Sequence, residues 1–107
     1  MAESWAHRNA KWRSAGRGGQ VEVPLPSGRR LDALSWDGTW ATEVETSGDI
    51  DLMKLAAERL AESGVPQKVL KVPQRYMRRA AVALRQAGVS AWVRNMHGTD
   101  EFFVKVD

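Results

Sequence analysis

An α/β (α+β) fold, a mixed sheet flanked by helices, follows from three features of this chain. The first is Asp37-Gly38 between two short apolar runs, a strong hairpin signal because both residues tolerate positive φ. The second is the alternation that follows it, in which strand-like spacing gives way to helical spacing and back. The third is size: 107 residues set one compact domain over 1–107 with a modest core. At 43% hydrophobic and 27% charged the composition is that of a globular chain rather than a disordered one. The expected order is αβββαβ followed by α and two short strands, with no repeat, low-complexity tract or linker.

Residues 3–15 read as a helix in which Trp5, Ala6 and Trp12 make an apolar stripe, ended by Gly16, Gly18 and Gly19. Val21, Val23 and Leu25 alternate as a half-buried strand, and Pro24 marks an edge or a strand end. After the turn Pro26-Ser27-Gly28, residues 29–46 form the hairpin, with Trp36 and Trp40 flanking the turn and placed to pair across the strands rather than to stack on a base. Ser47-Gly48-Asp49 caps a helix over 50–62 whose buried face is Leu52, Met53, Ala56, Ala57 and Leu60, and Gly64 stops it. Residues 68–72 are a strand, and Pro73 starts the next helix where Pro is best tolerated. Tyr76, Ala80, Ala83, Leu84 and Ala87 share its apolar face, opposite Arg75, Arg78, Arg79 and Gln86, and Gly88 ends it. Two last strands, 89–94 and 101–106, enclose a loop over 95–100.

The acids of the hairpin are not scattered. Glu43 and Glu45 are two apart on one strand and so point to one face, while Asp32 lies about as far before the turn as Glu43 lies after it. Three carboxylates converging on a sheet of Leu, Ala, Val, Thr and Trp repel one another and resist burial, which a divalent cation relieves.

Net charge is only +3, yet its distribution is uneven. Residues 1–30 carry six basic and two acidic side chains, 31–64 two and eight, and 65–94 seven and none. An acidic middle between basic segments suits a metal site beside a phosphate-attracting surface; the alternative is a set of solvated faces. Arg29 and Arg30 either touch phosphates or pair with Glu22 or Glu43, and Arg75, Arg78 and Arg79 form either a nucleic-acid ridge or an ordinary exposed face. Lys54 either brings an ammonium to the acids or is solvated. His7 and His97 stand alone in the sequence and receive no catalytic role. Without Cys, disulfides and thiolate metal sites are excluded. No apolar run approaches the roughly 20 residues of a membrane helix and no signal-peptide pattern opens the chain, so a soluble cytoplasmic protein with no membrane partner is expected.

A helix, a three-stranded meander with Asp on its second strand and Glu-x-(Lys/Glu) on its third, then a helix and a strand, resembles the PD-(D/E)XK nuclease superfamily, the restriction-endonuclease-like fold. The resemblance covers residues 3–72, and its motif is Asp32, ten residues, then Glu43-Val44-Glu45. Leu31-Asp32-Ala33-Leu34 and Glu43-Val44-Glu45-Thr46-Ser47 are written as in archaeal and bacterial members. Glu45 stands where the usual motif has Lys, as it does in some restriction enzymes. The resemblance implies Mg²⁺ (or Mn²⁺) held by Asp32, Glu43 and the Val44 carbonyl, since hard cations prefer oxygen ligands. The ion would polarise a phosphodiester and help deprotonate a water, with Asp32, Glu43 and Glu45 as the catalytic set. The function it implies is a metal-dependent nuclease acting on nucleic acid, DNA first, of phage, mobile-element, repair or toxin type. Two alternatives stand beside it: the same fold without chemistry, binding nucleic acid or a protein partner, and an α/β interaction domain whose acids are merely surface. A domain of this size would need a second copy, as a homodimer, or a fused module to cut both strands of a duplex.

Overall fold

In the computed structural model, which describes residues 3–107, the chain enters its first helix at Ser4, whose hydroxyl accepts from the His7 N–H. Helix α1 (Trp5–Ala15) buries Ala10, Lys11 and Ala15, whereas Trp5 and Trp12 are 71% and 55% exposed. The expected tryptophan stripe is therefore not the packed face. Small alanines let the helix lie close to the sheet, and the polar line Glu3, His7, Lys11, Ser14 comes with them.

Six strands follow in one sheet whose spatial order is the sequence order: β1 (Gln20–Pro24), β2 (Arg30–Leu34), β3 (Trp40–Val44), β4 (Gln67–Val72), β5 (Ala91–Asn95) and β6 (Glu101–Val104). The meander β1–β2–β3 is antiparallel, β3–β4 and β4–β5 are parallel, and β5–β6 is antiparallel again. Each parallel step needs a crossover, supplied by α2 (Ile50–Glu62) and α3 (Met77–Ala87). Strand β1 is an edge, as Pro24 requires. On β4, Leu70 and Val72 join the apolar cluster of Met53, Leu60 and Leu84, while Lys71 between them bonds Ser14 of α1. Since alternate residues face opposite sides, α1 covers one face of the sheet and α2 with α3 the other.

Local chemistry explains where the boundaries move. Asp49 caps α2 by accepting from the Asp51 and Leu52 N–H groups at 2.8 and 3.3 Å, but Leu52 itself is 44% exposed and not part of the buried face. Pro73 does not begin α3: it precedes a 3₁₀ turn over Gln74–Tyr76, and Met77 rather than Tyr76 is the first fully buried residue of that helix. Gly88, at φ 72°, closes α3 with Val89 donating back to the Leu84 carbonyl, so β5 starts two residues later than its apolar pattern indicates. The hairpin turn is also longer than a two-residue turn. Ser35 donates to the Trp40 carbonyl and Gly38 to the Ser35 carbonyl; Gly38 alone has positive φ, 73°. Asp37 instead gathers the loop, accepting from the Ser35 hydroxyl and from the Thr39 amide and hydroxyl. Among the described residues the aromatic pair is Trp92 with Phe103, centroids 5.3 Å apart, not Trp36 with Trp40. No helix among them is long and apolar enough to cross a membrane.

Candidate active site

The ladder between β2 and β3 pairs Ala33 with Thr42 and Leu34 with Ala41, which sets Asp32 level with Glu43. At that level side chains take over from the backbone. The Asp32 N–H donates to Glu43 Oε2 at 2.7 Å, and the Val44 N–H donates to Asp32 Oδ2 at 2.8 Å. One strand further out, Glu22 has φ 53°, the one positive-φ residue other than glycine among the described residues. A left-handed Glu costs on the order of 1–2 kcal/mol, and strain of this kind collects at functional sites. Past the break, Leu31 faces the apolar cluster while the Asp32 carboxylate turns towards α1.

Lys11 meets it there. Its side chain is 4% exposed, and Nζ lies 2.6 Å from Glu22 Oε1, 3.6 Å from Asp32 Oδ1 and against Glu3. Burial alone would lower its pKa, but Glu22, Glu3 and Asp32 outweigh burial and hold it above the usual range, so this cation is fixed. One turn earlier, His7 Nε2 is buried without a hydrogen-bond partner, 3.6 Å from Asp32 Oδ2. Asp32, as the acceptor facing it and then by its charge, raises the His7 pKa against the effect of burial. At 3.6 Å the contact is too long for a hydrogen bond, so Nε2 stays buried and unpaired beside the Asp32 carboxylate.

Glu45 follows the last residue of β3, with its N–H still donating to the Lys71 carbonyl at 3.0 Å. Its half-buried carboxylate accepts from the Ser47 hydroxyl at 3.4 Å. Burial raises its pKa, with Asp32 and Asp49 adding to the rise while His7 and the Ser47 bond oppose it. Asp32, His7 and Glu45 thus form one electrostatic neighbourhood at the end of the meander.

Glu43 is used differently from what its motif position implies. It is 1% exposed, its Oε1 accepts from Arg59 of α2 at 3.2 Å and its Oε2 from the Asp32 amide. Burial, and next the Asp32 charge, push its carboxyl up. Val44 contributes its N–H to Asp32. The set Asp32, Glu43 and Val44 therefore does not fit a divalent cation as arranged: both Glu43 oxygens are engaged, an ammonium stands beside Asp32, and among the described residues no three His, Asp or Glu side chains converge on one point.

The expected cations also redistribute. Arg29 pairs with Glu62 at 3.0 Å and Glu58 at 3.9 Å, not with Glu22 or Glu43, and Arg30 is exposed. Lys54 makes no ion pair among the described residues; Arg59, further along α2, reaches the acids instead. Arg75 and Arg79 lie over the Tyr76 ring at 4.7 and 5.6 Å, Arg79 donates to the Gly48 carbonyl at 3.0 Å, and Arg78 is exposed. Tyr76 packs against the core and also carries this ridge, which is tied to the loop directly after Glu45. His7, Lys11, Arg59 and Lys71 escape sequence reasoning. The available signal for the first two is the four-residue spacing of Glu3, His7 and Lys11, which puts them on one helix face.

Gly48 fixes the ridge against the loop. A Cβ there would stand 2.7 and 2.9 Å from the Tyr76 ring and 3.0 Å from Arg79 Nη1. Gly48→Ala is expected to displace Tyr76 at a cost of about 1–2 kcal/mol, read as a melting temperature lower by several degrees. An unchanged melting temperature would mean that the ring moves freely.

No protein family, curated protein or solved structure compared with the chain matches it.

Proposed function

We propose that the chain is a nuclease-like domain that hydrolyses phosphodiester bonds of nucleic acid, DNA first, on a restriction-endonuclease-like core. The observation that carries this reading is the unpartnered His7 Nε2 set 3.6 Å from Asp32 at the break between β2 and β3, with Glu45 within reach of their charges and a basic ridge anchored to the loop after it. The order α1, antiparallel β1–β2–β3, α2 and parallel β4 supports the core.

Hydrolysis needs a group that takes a proton from the attacking water and one that returns a proton to the leaving oxygen. The Glu45 carboxylate accepts the proton as the water oxygen bonds to phosphorus. The His7 imidazolium supplies the proton that reaches the oxygen released when the P–O bond breaks, and solvent restores both groups. Asp32 keeps His7 charged, Lys11 holds Asp32 in place, and Arg75, Arg78 and Arg79 attract the neighbouring phosphates.

A second reading, a nuclease-like module that binds without cutting, is favoured by one specific contact: Arg59 engages the Glu43 carboxylate at 3.2 Å. Fluorescent single-stranded, duplex and branched DNA and RNA, incubated with Mg²⁺, Mn²⁺ or chelator, separate the two. Cleavage upholds the first reading; binding without cleavage on every substrate and ion leaves the second. Cutting both strands of a duplex would call on a second copy or a fused module.

Replacing Arg75, Arg78 and Arg79 with Glu is expected to weaken affinity for all sequences alike. It should also flatten the salt dependence by about 0.7–0.9 in logarithmic slope for each phosphate that is no longer neutralised. An unchanged slope would reduce the ridge to a solvated face.

A further inference from the structure

Lys71 is the buried cation that this chemistry leaves unused. It is 6% exposed on β4, donates to the Ser14 hydroxyl at 2.7 Å, and has no carboxylate partner among the described residues. Its neighbours are cations too: Arg94 lies opposite it on β5 and Arg13 on α1. Burial, then these two charges, lower the Lys71 pKa to about 8. Arg94 is balanced by Glu101 at 3.2 Å, but Arg13 has no such partner among the described residues. A buried cation beside an uncompensated guanidinium is an arrangement that an incoming anion stabilises.

Beside Arg13, between α1 and the loop after β5, is a cleft of about 130 Å³ lined by Trp5, Ala6, Asn9, Ala10, Arg13, Met96 and His97. That volume is well below the roughly 300 Å³ at the lower end of pockets for free small ligands, so the cleft suits one unit of a longer chain. Its chemistry is specific: an exposed indole and an imidazole offer planes for stacking, an amide offers hydrogen bonds, and a guanidinium offers a phosphate contact. Trp5, Asn9 and Arg13 repeat every four residues along α1, parallel to the line Glu3, His7, Lys11 that faces Asp32.

We propose that this cleft binds one unpaired nucleotide of a single strand, its base against Trp5 and His97 and its phosphate at Arg13, with Lys71 and Arg94 behind. The inference rests on the reading above for its ligand class and adds the strandedness. A base held in a duplex stack has no free face to offer.

The test is fluorescence anisotropy with labelled oligothymidylate and with a blunt duplex, both in chelator. Trp5→Ala and Arg13→Ala change exposed residues, and unaltered circular dichroism would confirm their fold. Each is expected to weaken oligothymidylate binding about tenfold while leaving duplex affinity unchanged. Equal affinity of variants and unmutated protein for the single strand overturns the proposal, as does equal loss on the duplex or no single-strand binding at all. Trp5-dependent binding without any cleavage would uphold the cleft and sink only the hydrolase. Cleavage together with Trp5-independent binding would do the reverse.

Discussion

Asp32→Asn is expected to reduce cleavage by about 10²- to 10⁴-fold while the protein stays folded. Asn keeps an oxygen to accept the Val44 N–H, now at 2.8 Å, and nearly the same volume. It loses the charge that faces His7 Nε2 at 3.6 Å and raises the His7 pKa. A histidine with a raised pKa contributes stability in full below its unfolded value, near 6.5, and loses it as pH rises through the folded value. The charged state that can donate a proton thus extends above pH 6.5 in the unmutated protein and retreats in the variant. The unmutated pH profile should be a bell. Its acid limb, set by Glu45, lies above the ordinary carboxylate range, and its alkaline limb, set by His7, lies above 6.5. Asp32→Asn should pull the alkaline limb down, and an NMR titration of the His7 ring should move with it. Glu45→Gln should also stop cleavage, because an amide takes no proton. Wild-type rates in Asp32→Asn would remove Asp32, and the histidine it governs, from the chemistry.

The opposition of Asp32 and Glu43 was legible because it needs only a count of residues to the turn, and pairing register preserves such a count even when the turn is longer than supposed. The helices were legible from their caps and glycines, since Asp49, Gly64 and Gly88 act locally. What failed depended on partners distant in sequence. Two tryptophans offer far more apolar surface than two alanines, yet α1 approaches the sheet through Ala10 and Ala15, because small residues permit the close contact that brings Lys11 to Asp32. Glu43 reads as half of an ion site, but its fate is decided by Arg59, brought over by the crossover of α2. Lys71 reads only as one residue of the strand 68–72; the parallel placement of β4 between β3 and β5 is what puts it under α1. Charge runs in the chain describe composition along the sequence, whereas the site joins α1, β1, β2 and β3.

Lys11→Met is expected to destabilise the protein by about 2–3 kcal/mol at neutral pH. The Met side chain fills most of the space of the lysine stem, so little packing is lost and the effect isolates the charge. Removing one partner of a buried ion pair typically costs about 3–5 kcal/mol; here Glu3 and Glu22, with side chains 29% and 44% exposed, can regain water and reduce that figure. Asp32, 13% exposed and bonded to the Val44 amide, cannot rehydrate so readily and bears most of the cost. For a domain of 107 residues the change should lower the melting temperature by about 8–20 °C. The unmutated protein gains Lys11's contribution in full below the lysine's unfolded pKa, near 10.4, and loses it only as pH rises through the still higher folded value. Its neutral-pH stability is therefore insensitive to Lys11 titration. The variant behaves otherwise: acid conditions weaken repulsion among carboxylates in general, so towards pH 4 the gap from the unmutated protein should narrow. Lys11→Arg, which keeps the charge, should lose much less at every pH, and adding Glu22→Gln to Lys11→Met should recover part of the loss. Thermal denaturation of these variants between pH 4 and 8 checks all four expectations, and a gap that stays constant with pH would show that Lys11 supports the fold by packing rather than by holding the acids together.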